Sequence, residues 1–160
     1  MDIYEFAMKM EEDGESYYRE LATKTVDNGL KNIFTMLADA ELVHHNILKK
    51  MKENEKVKVA HTKILSQAKN IFEKMREEKD TDMNITQTEL YKKAREIEKN
   101  SRDFYLKHAD EVNDPDQKEI FLKIADEEKK HYFILEEISN FISRPQTWLE
   151  NPEWYHLEEY

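Results

Sequence analysis

No cysteine occurs among the 160 residues, and there are only two glycines and three prolines. Without cysteine there is no disulfide, thiolate zinc site, iron–sulfur cluster, rubredoxin centre or cysteine nucleophile. Two separated glycines cannot build a phosphate-binding loop or a dinucleotide fingerprint. So few turn formers cannot supply the corners of a sandwich, a barrel or a Rossmann fold. Positive charge is outnumbered by negative. Lys and Arg number 25 against 35 Asp and Glu, a net charge of −10. No basic stripe offsets the acidic balance, so a nucleic-acid partner is not expected. No segment approaches the eighteen or so apolar residues of a membrane span, so no membrane partner is expected. The amino-terminal MDIYEFAMKMEEDGE lacks a basic leader followed by an apolar run, which predicts a cytoplasmic location. The expectation is one soluble all-α domain over residues 1–160.

Four long segments carry a helical period. The first runs from about Asp2 to Val26, with Ile3, Phe6, Ala7, Met10, Gly14, Tyr17, Tyr18 and Leu21 on one face and a stop at Asn28-Gly29. The second runs from about Leu30 to Lys52, with Ile33, Phe34, Leu37, Ala38, Leu48 and Met51 inward. The third starts at Thr86, where Thr86 and Glu89 match a capping box, and reaches about Glu111 with Leu90, Ala94, Ile97, Phe104 and Tyr105 inward. The fourth opens on Asp114-Pro115 and ends before Pro145. Short joins predict two antiparallel hairpins, 2–52 and 86–143. The connection 53–85 is too long for a bare loop. Ile64, Leu65, Ala68, Ile71, Phe72 and Met75 predict a helix within it. The tail 144–160 carries Trp148, Trp154, Tyr155, Leu157 and Tyr160, which predicts docking rather than disorder.

An offset of 87 residues superimposes the chain on itself. Leu30–Leu48 aligns with Gln117–Leu135 at nine identities in 19 positions. The same offset sets Ala7, Glu11, Tyr18 and Ala22 over Ala94, Glu98, Tyr105 and Ala109. Glu41 and His44 form Glu-x-x-His, and Glu128 and His131 repeat it. Spacings of three, four and seven share a helix face, and in each helix that face is the apolar stripe. Four carboxylates and two imidazoles therefore point into a core. Unpaired buried carboxylates cost several kcal/mol each, and no Lys or Arg lies among the inward positions. Two divalent cations would balance four carboxylates. A Glu from each of two helices plus Glu-x-x-His from two others is the donor pattern of di-iron and di-manganese bundles. Carboxylate and imidazole without thiolate suit Fe or Mn better than closed structural zinc.

AMKMEEDGESYYRELA with FTMLADAELVHH, and AREIEKNSRDFYLKHA with FLKIADEEKKHY, resemble the ferritin-like superfamily. Within it they are most similar to stand-alone rubrerythrin-like di-iron carboxylate proteins. The resemblance spans residues 2–52 and 86–142. It implies a ferritin-like antiparallel four-helix bundle with a long helix-containing crossover. It implies Glu11, Glu41, His44, Glu98, Glu128 and His131 as ligands of two Fe ions, with Mn or Zn as alternatives. Tyr18 and Tyr105 look like hydrogen-bond partners that orient those carboxylates. Three departures are visible. The four cysteines of a rubredoxin domain are missing. Ser101 stands where rubrerythrins place a further glutamate. Leu42 stands where bacterioferritins place a haem-ligating methionine.

Other polar residues read as ordinary. His45 competes with His44 but aligns with Tyr132, so His44 is preferred. His61, His108 and His156 lack aligned partners and read as surface or boundary residues. Glu12, Glu15 and Glu127 fall off the stripe and read as solvated. The charge run Glu73–Asp82 reads as a solvated helix end, and the methionines as packing. The resemblance implies an oxidoreductase acting in oxidative stress. It would reduce hydrogen peroxide or dioxygen with electrons from an external donor, rubredoxin-like or other. The alternatives are a ferroxidase storage protein and a metal-binding structural module. A homodimer is the expected assembly.

Overall fold

The computed structural model describes residues 2–59, 62–77 and 88–143. Among them are five helices and no strand: α1 (Ile3–Lys24), α2 (Asn28–Lys52), α3 (Ile64–Glu77), α4 (Thr88–Glu111) and α5 (Pro115–Ser143). The hairpins α1–α2 and α4–α5 pack side by side into a four-helix bundle. The fold is thus all-helical, as the periodicity implied.

Local chemistry explains the boundaries. Asp2 caps α1 by accepting from the Glu5 N–H, and Asp27 caps α2 by accepting from the Leu30 N–H. The turn between them is Thr25–Asp27, so α1 stops at Lys24, earlier than expected. Asn28-Gly29 is not a stop but the first turn of α2. An Asp at the cap outcompetes the turn tendency of the Asn-Gly pair. Gly29 has another use, because a Cβ there would lie 2.4 Å from Cγ and Sδ of Met75. Glycine lets α3 lie directly on the start of α2. Asp114 and Pro115 open α5 as expected, with the Lys118 N–H bonded to the Asp114 carbonyl. α4 starts at Thr88. The Thr86 part of the capping box lies outside the described residues.

The core has two parts. One end holds Phe34, Leu37, Leu65, Phe72, Tyr91, Ile134 and Phe141, so α3 closes the bundle over α2 and α5. The other holds Ala7, Leu48, Tyr105, Phe121 and Ile124. Not every residue of the predicted stripes is enclosed. Phe6 is 51% exposed and stacks on Phe104 at 5.2 Å, while Ile3, Met10, Tyr17, Leu90, Ile97 and Phe104 are half-buried. Met51 and Met75 are buried packing residues. The tail 144–160, with its predicted docking, lies outside the described residues. So do His61, His156 and the end of the charge run beyond Glu77.

Candidate metal centre

Between the two core regions the apolar stripes are interrupted by charge. α1 contributes Glu11, α2 Glu41 and His44, α4 Glu98, and α5 Glu128 and His131. None of the six is more than 3% exposed. Each sits on its helix's inward face because the three- and four-residue spacing to its apolar neighbours continues through it.

Donor atoms converge in two groups. Glu11, Glu41, His44 and Glu128 form one, and Glu41, Glu98, Glu128 and His131 the other, with the donors of each within 4.8 Å of one another. Glu41 and Glu128 belong to both groups. They are the carboxylates of the two Glu-x-x-His motifs, and the spacing alone could not single them out. His44 Nδ1 lies 2.8 Å from Glu128 Oε1 and 3.6 Å from Glu11 Oε2. His131 Nδ1 lies 3.4 Å from both Glu41 Oε1 and Glu98 Oε1. The imidazoles stack with centroids 6.0 Å apart.

The tyrosines cross between hairpins. Tyr18 on α1 donates to Glu98 on α4 at 2.5 Å, and Tyr105 on α4 donates to Glu11 on α1 at 2.5 Å. The sequence placed each tyrosine on the stripe of the glutamate in its own helix. The structure hands it to the other glutamate, because α1 and α4 pack against each other with these stripes facing. Gly14 permits another close approach. A Cβ there would lie 3.3 Å from Glu41 Oε2, so a bare backbone lets this carboxylate lie against α1.

Burial makes the cluster hold protons. Glu41 is pushed well above the usual carboxylate range, first by burial and then by the charges of Glu11, Glu128 and Glu98. Burial and the charges of Glu98 and Glu11 do the same to Glu128. Burial also raises Glu98, but the His131 charge, the adjacent Glu128 carboxyl and the Tyr18 hydroxyl outweigh it and hold that carboxyl at about 2. Glu11 is lowered in the same manner: burial opposes, and the adjacent Glu41 carboxyl, His44 and the Tyr105 hydroxyl prevail. Within each close pair, Glu11 with Glu41 and Glu98 with Glu128, one carboxyl is thus lowered and the other raised. Burial lowers His131, but the charges of Glu98, Glu127 and Glu11 together outweigh it and raise the imidazole. Burial, followed by the adjacent carboxylates, raises Tyr18 and Tyr105 well above 10.0, so both stay phenolic donors.

Even so the polar inventory does not close. Glu11 Oε2, Glu41 Oε1, His44 Nδ1, Glu98 Oε2, both Glu128 oxygens and both His131 nitrogens are buried with no hydrogen-bond partner among the described residues. Native interiors leave few such atoms. Oxygen and imidazole donors converging from four helices fit a pair of divalent cations.

The other sequence candidates separate from this cluster. His45 pairs with Glu12 at 3.1 Å, and His108 with Glu111 at 2.9 Å, both at the boundary with solvent. Glu12 is exposed, while Glu15 is half-buried beside Arg19. Glu127 is not solvated but 3% exposed. It accepts from the Thr62 hydroxyl at 2.5 Å and lies 3.4 Å from Lys130, itself 2% exposed. The crossover covers this face of α5. The available signal was that apolar residues ring α5, with Phe133, Ile134 and Phe141 off the main stripe. Lys130 is thus a buried cation, but Glu127 and Asp126, not the cluster, are its ion partners.

The fold and the cluster together define a helical bundle with a buried carboxylate–histidine site suited to two metal ions. The sequence matches the rubrerythrin family over residues 2–139, and the chain belongs to that family. No curated protein and no solved structure gives a significant match.

Proposed function

We propose that the chain is a di-iron carboxylate oxidoreductase that reduces hydrogen peroxide or dioxygen with electrons from a separate donor. The carrying observation is the set of unpartnered buried oxygens and nitrogens on Glu11, Glu41, His44, Glu98, Glu128 and His131. Family membership and the thiolate-free donor set favour iron over structural zinc. Glu11, Glu41, His44 and Glu128 would hold one ion, and Glu41, Glu98, Glu128 and His131 the other. Bound iron supplies the electrons passed to the oxidant.

The chain's own residues do the rest. Glu41 and Glu128 release their protons to solvent when a cation replaces them. Tyr18 and Tyr105 donate to Glu98 and Glu11 and fix which oxygen each carboxylate presents. The packed side chains on either side of the cluster keep bulk water out. The 160 residues hold no cysteine for a thiolate-ligated iron centre of their own, which supports a separate electron donor.

The test is anaerobic loading with Fe(II), then stopped-flow mixing with peroxide or dioxygen. The wild-type chain should oxidise its iron faster than a Glu11→Ala/Glu128→Ala variant. Equal rates would overturn the reading. Light scattering showing a closed shell of many subunits would move it to iron storage.

A further inference from the structure

The two hairpins keep the same inner residues, but α1 and α4 carry opposite charge at three aligned positions outside the core. Under the 87-residue offset, Glu5, Glu12 and Glu15 of α1 fall on Lys92, Lys99 and Arg102 of α4. The α1 acids are already answered within the chain. Glu5 pairs with Lys52 at 2.7 Å, Glu12 with His45 at 3.1 Å and Glu15 with Arg19 at 2.9 Å. The α4 cations are not. Lys92, Arg95, Lys99 and Arg102 follow a three-four-three spacing, which is one helix face. Three of them are exposed and Arg95 half-exposed. Among the described residues none makes an ion pair.

The linear sequence hides this stripe, because Glu89, Glu96 and Asp103 are interleaved with it; they flank Lys92 and Lys99 at three- and four-residue spacing, and Lys92, Lys93, Arg95, Lys99 and Arg102 outnumber them. It lies on the α5 side of α4, where the Arg95 charge acts on Glu136. Leu106 continues the same spacing and is 36% exposed, and Leu122 on α5 is 42% exposed. The result is a positive surface with apolar residues at one end, on a chain whose net charge is −10.

We propose that the outer face of α4, centred on Lys92, Lys99 and Arg102, is the docking surface for an acidic one-electron-donor protein. This rests on the redox reading above, which requires an outside donor. The stripe attracts an anionic partner and orients it, while the acidic remainder of the chain repels it elsewhere. A partner seated there is separated from Glu98 by less than the full thickness of α4, about 10 Å, because Lys99 is the next residue along the helix. Electron-transfer encounters are small and transient, so unpaired lysines and an arginine with a few apolar contacts suffice.

The test uses a zinc-substituted acidic rubredoxin as probe, so binding is read without turnover. It is titrated into the isotope-labelled, metal-loaded chain in low salt and followed by amide shifts. Shifts should map to α4 and the adjacent side of α5. Lys92→Glu/Lys99→Glu/Arg102→Glu, which restores the α1 charge pattern, should weaken binding about tenfold or more. Lys56→Glu/Lys58→Glu/Lys63→Glu makes the same change in net charge on the exposed crossover and should weaken it less than about threefold. Shifts on α1 and α2, equal loss in both variants, or no binding in low salt would overturn the proposal. So would tighter binding of an oligonucleotide than of the probe, or loss of self-association in the α4 variant, which would assign the face to a second copy. Failure of the redox reading shows separately, as absence of iron oxidation in the stopped-flow experiment.

Discussion

Each buried carboxylate oxygen needs a donor, a proton or a cation, and Glu11 shows how finely these are shared. Its Oε1 takes the Tyr105 hydroxyl and its Oε2 has no hydrogen-bond partner. Tyr105→Phe removes the donor without changing the volume. Leaving a buried acceptor unmet costs about 1–3 kcal/mol, and loss of an orienting partner weakens metal affinity by roughly 10–100-fold. Denaturant unfolding of the metal-free chain and a metal competition titration should show both losses. Gly14 predicts a different signature. Alanine is a better helix former than glycine by about 1 kcal/mol, but its Cβ would press on Glu41 Oε2 at 3.3 Å. Gly14→Ala should leave the metal-free thermal midpoint equal or higher while lowering metal affinity, because Glu41 belongs to both donor groups. A lower midpoint with unchanged affinity would contradict the role given to this glycine.

At the scale of elements, α5 carries the greatest load. One face supplies Glu128 and His131, and another meets the crossover through Glu127, Lys130 and Thr62. Glu127→Ala leaves the Lys130 ammonium buried without its closest partner and should destabilise the chain by about 3–5 kcal/mol. Replacing both, Glu127→Ala with Lys130→Met, should recover much of that loss. A double-mutant cycle by chemical denaturation measures it, and additive losses would contradict a coupled pair.

This is also where the sequence was least legible. The apolar period placed α2 and α5 closely, and the repeat put six polar residues on inward faces. Neither could show that the crossover would roof α5 and turn Glu127 from a surface acid into a buried one, because that depends on a contact 65 residues away in the chain. The same limit explains Tyr18 and Tyr105. Spacing gave their face, but only the packing of α1 against α4 decided which glutamate each meets. Asn28-Gly29 failed for a local reason: Asp27 offered a better cap one residue earlier.

For the whole molecule the cluster makes stability depend on pH and metal together. Glu41, Glu128 and His131 are all raised on folding. Groups raised in the folded state contribute stability below their unfolded values and lose it as pH rises through the folded ones. Glu98, held at about 2, and the lowered Glu11 contribute above the ordinary carboxylate range and lose that contribution only in acid. Between about pH 5 and 8 the metal-free chain should therefore become less stable as pH rises. Bound metal requires deprotonated ligands, so with excess divalent cation the trend should reverse. Thermal scans at several pH values, with and without chelator, check the two slopes. Parallel slopes would mean that the cluster titrates independently of metal.

The central claim, that these six side chains hold two cations, is tested most directly by counting them. In an anaerobic Fe(II) titration read by calorimetry and elemental analysis, the chain should bind two ions. Glu41→Ala should impair both sites, since Glu41 is in both donor groups, whereas Glu98→Ala should impair one more than the other. Fewer than about one ion per chain, or two ions retained at full affinity in Glu41→Ala, would contradict the account.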